Sequence, residues 1–167
     1  MSVSRRKITG RSESGGYLSL PHAVLESLNY RALSAHGRML LNDLGLQFRG
    51  ANNGDLSAAW KIMQPRGWRS RDTLGRALAE LLHFGLIEKT RQGGLNHCSL
   101  FGLTWLAIDE CRNKLDVSAT RVASGLWKIP QPPMPPRKPK QKNKAPSTPG
   151  VPERHGGRVS ATRHACQ

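Results

Sequence analysis

The sequence predicts a mainly helical α+β fold, in which several short helices are followed by one small β-hairpin. Three observations predict it. Apolar residues recur at helical spacing over 35–48 and 71–84, two short apolar runs flank a basic glycine-containing stretch at 91–97, and nine of eleven prolines fall after residue 128. The first two describe a folded unit and the third marks where it ends.

Each element has its own signal. Tyr17 to Leu20 reads as a strand-like lead-in. Pro21 suits the first turn of a short helix over 22–28, with Val24, Leu25 and Leu28 on one face. Ser34 is the expected N-cap of a helix over 35–48, where Met39, Leu40, Leu44 and Phe48 recur with Leu41 beside them. The loop Arg-Gly-Ala-Asn-Asn-Gly-Asp at 49–55 ends it. Ser57 is a second candidate cap, for a short helix through Trp60, Ile62 and Met63 that stops at Gln64 because Pro65 disfavours helix before it. The helix over 71–84 starts at Ser70, carries Leu74, Ala77, Leu78, Leu81 and Leu82 on one face, and ends at Gly85. Residues 86–90 and 98–105 then read as strands.

Short helix, tight turn, capped amphipathic helix, then hairpin is the order of a winged helix-turn-helix. The expected organisation is a flexible basic arm over 1–16, a winged helix-turn-helix domain with a C-terminal extension over 17–127, and a basic, proline-rich disordered tail over 128–167. Asp109, Glu110 and Asp116 make 107–120 locally acidic and compatible with a helix, which either packs on the domain or pairs two copies into a homodimer.

Charge points to the partner. The chain carries +15, and residues 128–167 hold nine Lys/Arg against one Glu, which is +8 of it and leaves +7 for the rest. A chain so basic attracts polyanions, and nucleic acid releases counterions when Lys and Arg neutralise its phosphates. Nucleic acid is the first partner to consider, against the alternatives of a solubilising charge excess without a partner or a ribosomal or membrane-surface role. Three cysteines without a CxxC pair, no apolar signal segment and no run of about 18 apolar residues lead us to expect a reducing cytoplasm and no membrane.

In a winged helix-turn-helix the third helix enters the major groove and its N-terminal residues meet base edges. Arg69, Arg71 and Arg76 are the leading candidates, because arginine pairs in bidentate fashion with guanine or clamps a phosphate. Ser70 and Thr73 stand beside them. The plainer alternative is that Arg69 and Arg71 solvate an exposed helix start while Arg76 pairs with Glu80 at i,i+4. The hairpin loop offers Arg91, Gln92, Asn96 and His97 with Lys89 nearby, against the alternative of an ordinary turn that needs Gly93 and Gly94 only for their backbone freedom. Lys61, Arg66 and Arg49 with Asn52 and Asn53 are candidates for flanking phosphates. Trp60, Trp68 and Trp105 read as core or hinge residues, and Cys98 as a small core residue on a strand. No cofactor or metal set is complete, and no catalytic motif (GxxxxGK[ST], HExxH, GxSxG) is present, so an enzyme is not expected.

The stretches Asn-Asn-Gly-Asp-Leu-Ser (52–57), Arg-Gly-Trp-Arg-Ser-Arg-Asp-Thr-Leu (66–74), Glu-Leu-Leu-His-Phe-Gly-Leu-Ile-Glu (80–88) and Thr-Arg-Gln-Gly-Gly (90–94) resemble small helix-turn-helix proteins of proteobacterial phages and integrated elements. Those are similar to the N-terminal winged-helix domain of phage replication-initiation proteins of the lambda O type. The resemblance covers about residues 17–110. It implies the fold, duplex DNA as partner, contacts at Ser70, Arg71, Thr73 and Arg76, and hairpin contacts near Arg91 and Gln92. A helicase-recruiting domain is not matched. The alternative of another class is an adaptor or inhibitor whose basic surface binds an acidic protein and whose Pro-Pro-Met-Pro-Pro-Arg-Lys-Pro-Lys segment is a ligand for a protein partner's groove.

Overall fold

Serine and glycine set the helix boundaries in the computed structural model, which describes residues 17–95 and 97–135; residues 1–16, Asn96 and residues 136–167, with the arm and most of the tail, lie outside the described residues. Among the described residues the architecture is mixed: five short or medium α-helices and a two-stranded antiparallel sheet.

Where one helix was expected over 22–28 there are two, α1 (His22–Glu26) and α2 (Leu28–Arg31). Ser27 separates them in extended conformation: its hydroxyl donates to the Val24 carbonyl (2.6 Å) and accepts the Tyr30 N–H (3.2 Å), ending α1 and capping α2. Pro21 is the N-cap of α1, one residue ahead of the first turn. The break turns Leu28 out to 65% exposure and buries Asn29 in its place.

Helix α3 spans Ala35–Gly45, three residues shorter than the apolar period suggested, so Leu46 is exposed and Phe48 half-buried. Ser34 caps it by accepting the Gly37 N–H at 3.1 Å. Helix α4 (Trp60–Met63) begins later than expected, because Ser57 accepts the Ala59 N–H (3.2 Å) in a local turn. It does not stop dead at Gln64: a 3-10 turn, Gln64–Arg66, carries the chain past Pro65 to Gly67, whose φ of 94° makes the corner.

Helix α5 spans Arg71–His83. Ser70 accepts the Thr73 N–H at its start. At its end the Leu86 N–H reaches the Leu81 carbonyl (3.0 Å) and the Gly85 N–H reaches Leu82 (3.2 Å), a Schellman pattern with Gly85 left-handed at φ 64°. The amphipathic faces of α3 and α5 meet through Leu40, Leu41, Leu44, Leu74, Ala77 and Leu81, all buried, and Val24, Leu33, Met63, Trp68 and Phe84 join the same core with Leu56 and the hairpin-side residues Leu86, Ile87, Phe101 and Leu103. Full burial of each large aliphatic side chain contributes about 1.5–3 kcal/mol.

Strand β1 (Ile87–Arg91) pairs with β2 (Leu100–Leu103) from Ile87 opposite Leu103 to Arg91 opposite Leu100, with a bulge between Lys89 and Arg91. The bulge residue, Thr90, is buried and donates its hydroxyl to the Gly54 carbonyl (2.6 Å). Leu56 bridges Phe101 on the free side of β2, with N–H···O contacts of 3.2 and 2.8 Å.

The acidic segment does not form the helix that 107–120 allowed. It runs irregularly over the domain through a turn, Cys111–Asn113, in which all three residues have positive φ. Its carboxylates are used on the domain itself: Asp109 accepts the Asn53 N–H and Asp116 the Gln92 N–H, each at 2.7 Å. Contacts also continue past Trp127. Buried Asn29 donates to the carbonyls of Trp127 (3.0 Å) and Ile129 (2.8 Å) and accepts the Gln131 N–H (3.0 Å), while a ring nitrogen of His83 lies 2.8 Å from the Pro132 carbonyl. Among the described residues no helix is long and apolar enough to cross a membrane.

Candidate nucleic-acid interface

Among the described residues, the exposed Arg69, Arg71 and Arg76 lie at the start of α5. Gly67 turns the chain, Trp68 is driven into the core, and Arg69, Ser70 and Arg71 follow as exposed residues. Trp68 fixes the corner by donating its indole N–H to Asp43 Oδ2 on α3 (2.8 Å). A narrow cleft of about 160 Å³ opens beside it, between Arg69, Ser70 and Thr73 on one wall and His36 and Met39 of α3 on the other. The first-turn N–H groups and positive dipole end of a helix lend such a place to anions.

The seven cations and polar groups expected to act here are not equally available. The Arg71 guanidinium lies over the Trp60 ring, 5.3 Å from its centroid. This contact joins the first residue of α5 to the first residue of α4. Arg69 and Lys61 are exposed, and their side chains make no hydrogen bond or ion pair among the described residues. Arg66 is half-buried and pairs with Asp43 at 3.6 Å. Arg76 pairs with Asp72 (3.5 Å) and lies 3.4 Å from the Thr73 hydroxyl, so Thr73 is itself engaged. The Arg76–Glu80 pair of the plainer alternative does not form, because Glu80 turns away to Ser34.

The hairpin departs further from expectation. Arg91 folds back on its own loop: Nε and Nη2 donate to the Cys98 carbonyl (3.3 and 3.1 Å) and Nη1 donates to the Lys114 carbonyl (3.3 Å). It is a brace of the hairpin more than a free cation. Gln92 accepts from Lys89 Nζ at 2.9 Å, and both side chains stay exposed. Asn96 lies outside the described residues. Cys98 is exposed, not a core residue, since the bulge at Thr90 and the tight turn at 94–97 delay the second strand until Leu100.

The loop residues offered for flanking phosphates are also consumed. Asn52 accepts the Arg49 N–H (2.6 Å) and donates to the Gln47 carbonyl (3.0 Å). Asn53 is wholly buried: its Oδ1 accepts the Leu103 N–H (2.7 Å), and its Nδ2 faces the carbonyls of Leu103, Leu106 and Ala107 at 2.9–3.2 Å. Of that loop, the exposed Arg49 side chain alone stays available.

Trp60 packs half-buried against the core, as its apolar neighbours predict. Its second role as the seat of Arg71 went unread, although a Trp eleven residues before an exposed Arg gives no local signal. Among the described residues no group of three His, Cys, Asp or Glu is placed to hold a metal. Comparison with protein-family models, with curated proteins and with solved structures gave no match, so a functional reading rests on this geometry and on the sequence.

Proposed function

We propose that this chain is a duplex-DNA-binding protein of the winged helix-turn-helix type, acting in transcriptional or replication control of a phage or mobile element. In this reading α4 and α5 are the helix-turn-helix, α5 enters the major groove by its N-terminal end, and the β1–β2 hairpin is the wing. The observation that carries the reading is Arg71 held over Trp60 at the capped start of α5, flanked by the unpaired Arg69 and Lys61. A guanidinium seated on a ring face loses little freedom when it meets a base edge or phosphate. Arg69 and Lys61 would neutralise phosphates on either side. Arg76 would have to leave Asp72 to take part, and therefore contributes less.

The mixed helix and hairpin architecture, the +15 charge and the resemblance described above support the same reading. Its test is a titration of equal-length duplex and single-stranded DNA with the full chain and with Arg69→Ala plus Arg71→Ala, at several salt concentrations. Preference for duplex, a log-log salt slope of about −4 to −7 for roughly 4 to 8 neutralised phosphates, and a large loss in the double variant are expected. Indifference to duplex, or equal binding of both strands by wild type and variant, would refute it and leave an adaptor with a protein partner as the reading to pursue.

A further inference from the structure

The chain stays on the domain well past the hairpin. The Ser124 hydroxyl donates to Glu88 Oε1 and the Gly125 N–H to the Thr104 carbonyl, both at 2.8 Å. Leu126 then lies so close over Gly85, beyond the end of α5, that a Cβ there would meet its carbonyl oxygen at 2.9 Å. Asn29, buried on α2, donates to the carbonyls of Trp127 and Ile129 and accepts the Gln131 N–H. A carbonyl only accepts, so His83, the last residue of α5, donates its ring N–H to Pro132 (2.8 Å).

This seat grips backbone and leaves side chains outside. Residues 128–135 are all exposed and none joins the core. Ile129, Gln131, Pro132 and Met134 each precede a proline, which confines them to extended backbone, and every proline fixes its own φ at about −65°. Ile129 accordingly has φ −85° and ψ 108°. Such a run forms a polyproline helix of about three residues per turn, which aligns Pro130 with Pro133 and Pro132 with Pro135. A groove of about 340 Å³ lies beside it, lined by Leu28, Trp127 and Pro130 among others, with Leu28 65% exposed. Lys128 stands over the Trp127 ring, 5.5 Å from its centroid, at one end of the run, and Arg137, Lys138 and Lys140 follow the other end in sequence.

We infer that residues 129–135 are a preformed polyproline ligand for a second protein, whose groove is lined by aromatic rings and rimmed by carboxylates. Grooves of that kind take prolines one turn apart, and the flanking cations select the acidic rim. The seat strengthens binding because the ligand is ordered before it meets its partner. By sequence the proline-rich segment is an alternative to DNA binding. In the fold it meets α5 at the end away from Arg69 and Arg71, about 18 Å along the helix axis, so both partners can be held at once. The inference stands whether or not the chain binds duplex.

The experiment titrates purified SH3 and WW domains with acidic rims into the full chain, and into a free peptide of residues 128–140, by calorimetry. At least one domain is expected to bind the full chain about tenfold more tightly than the peptide. Pro130→Ala plus Pro133→Ala, both at exposed positions, is expected to keep the melting temperature and to lose about tenfold or more in affinity. His83→Ala leaves every proline in place but frees Pro132, and is expected to weaken binding by the full chain about threefold. Equal affinity for full chain and peptide overturns the preformed seat. Absence of binding by any of the domains, or binding unchanged in the double proline variant, overturns the ligand itself.

Discussion

Glu80 of α5 accepts the backbone N–H of Ser34 on Oε1 and the Ser34 hydroxyl on Oε2, both at 2.6 Å. Ser34 in turn accepts the Gly37 N–H, so the cap of α3 is held by a carboxylate 46 residues away. The two longest helices are locked at one point, and Arg76 is left to Asp72. Hydrogen bonds to a charged acceptor contribute about 1.5–3 kcal/mol, and the exposure of Ser34 favours the lower figure. Glu80→Ala is expected to cost about 1.5 kcal/mol in urea unfolding, with Glu80→Gln losing less because one acceptor oxygen remains. An unchanged midpoint in Glu80→Ala would show that the lock contributes nothing.

Asn53 joins the loop before α4 to the end of the hairpin from a fully buried position. Removing it strands the buried Leu103 N–H and takes the amide donor from the part-buried carbonyls of Leu106 and Ala107, while the Leu103 carbonyl keeps the Leu106 N–H; each unsatisfied group costs about 1–3 kcal/mol. Asn53→Ala is expected to lose at least about 3 kcal/mol by chemical denaturation. Asn53→Asp should be as damaging, since it keeps the acceptor for Leu103 but turns a carboxylate oxygen toward those carbonyls. A mild Asn53→Asp would mean that the Nδ2 bonds matter little.

What the sequence made legible is what local chemistry decides. Ser34, Ser70 and Gly85 mark helix ends by side-chain caps or by left-handed backbone, and each does so in the fold. Ser27 was overlooked because a serine in a short apolar period reads as neutral until its hydroxyl is seen bonding both ways. The fates of Glu80, Asn53 and Arg91 depend on partners 46, 50 and 23 residues away, which spacing along the chain cannot reveal. The acidic segment departs for the opposite reason: Asp109 and Asp116 suit a helix by pattern, yet the N–H groups of buried Asn53 and of the hairpin's exposed Gln92 claim them. Of the candidate site, the exposed position of Arg69, Ser70 and Arg71 at the start of α5 is legible in the sequence, and the seating of Arg71 on Trp60 is not.

The two described cysteines should differ in reactivity. Burial, then the nearby carboxylates Asp55 and Asp109, push the Cys111 thiol above its ordinary pKa, with Lys114 opposing. Cys98 is exposed and 3.7 Å from an Arg91 nitrogen. In a Cys166→Ser background, Cys98 is expected to be alkylated first at mildly alkaline pH, with Cys111 following only as pH rises further. The sign for stability follows: the protonated Cys111 thiol is favoured by the fold, so its contribution is complete below the unfolded thiol pKa and fades as pH climbs through the raised folded one. Equal alkylation rates at all pH values would contradict this.

The seat of Arg71 makes a prediction that separates orientation from charge. Trp60→Ala removes the ring beneath the guanidinium and leaves every cation in place, whereas Arg71→Ala removes a cation. A cation–π contact at a half-exposed site is worth about 0.5–1 kcal/mol, so Trp60→Ala should weaken duplex binding about two- to fivefold with an unchanged salt slope. Arg71→Ala should weaken it more and flatten the slope by about 0.9, the loss of one neutralised phosphate. Trp60→Phe keeps a ring face and should bind within about twofold of wild type. Since Trp60 is half-buried, circular dichroism of each variant establishes that helix content is retained before affinities are compared. If Trp60→Ala flattened the slope as Arg71→Ala does, the ring would be holding Arg71 on a phosphate. An unchanged slope with reduced affinity means that Arg71 still neutralises its phosphate without the ring, and that the ring acts by limiting the freedom of the guanidinium.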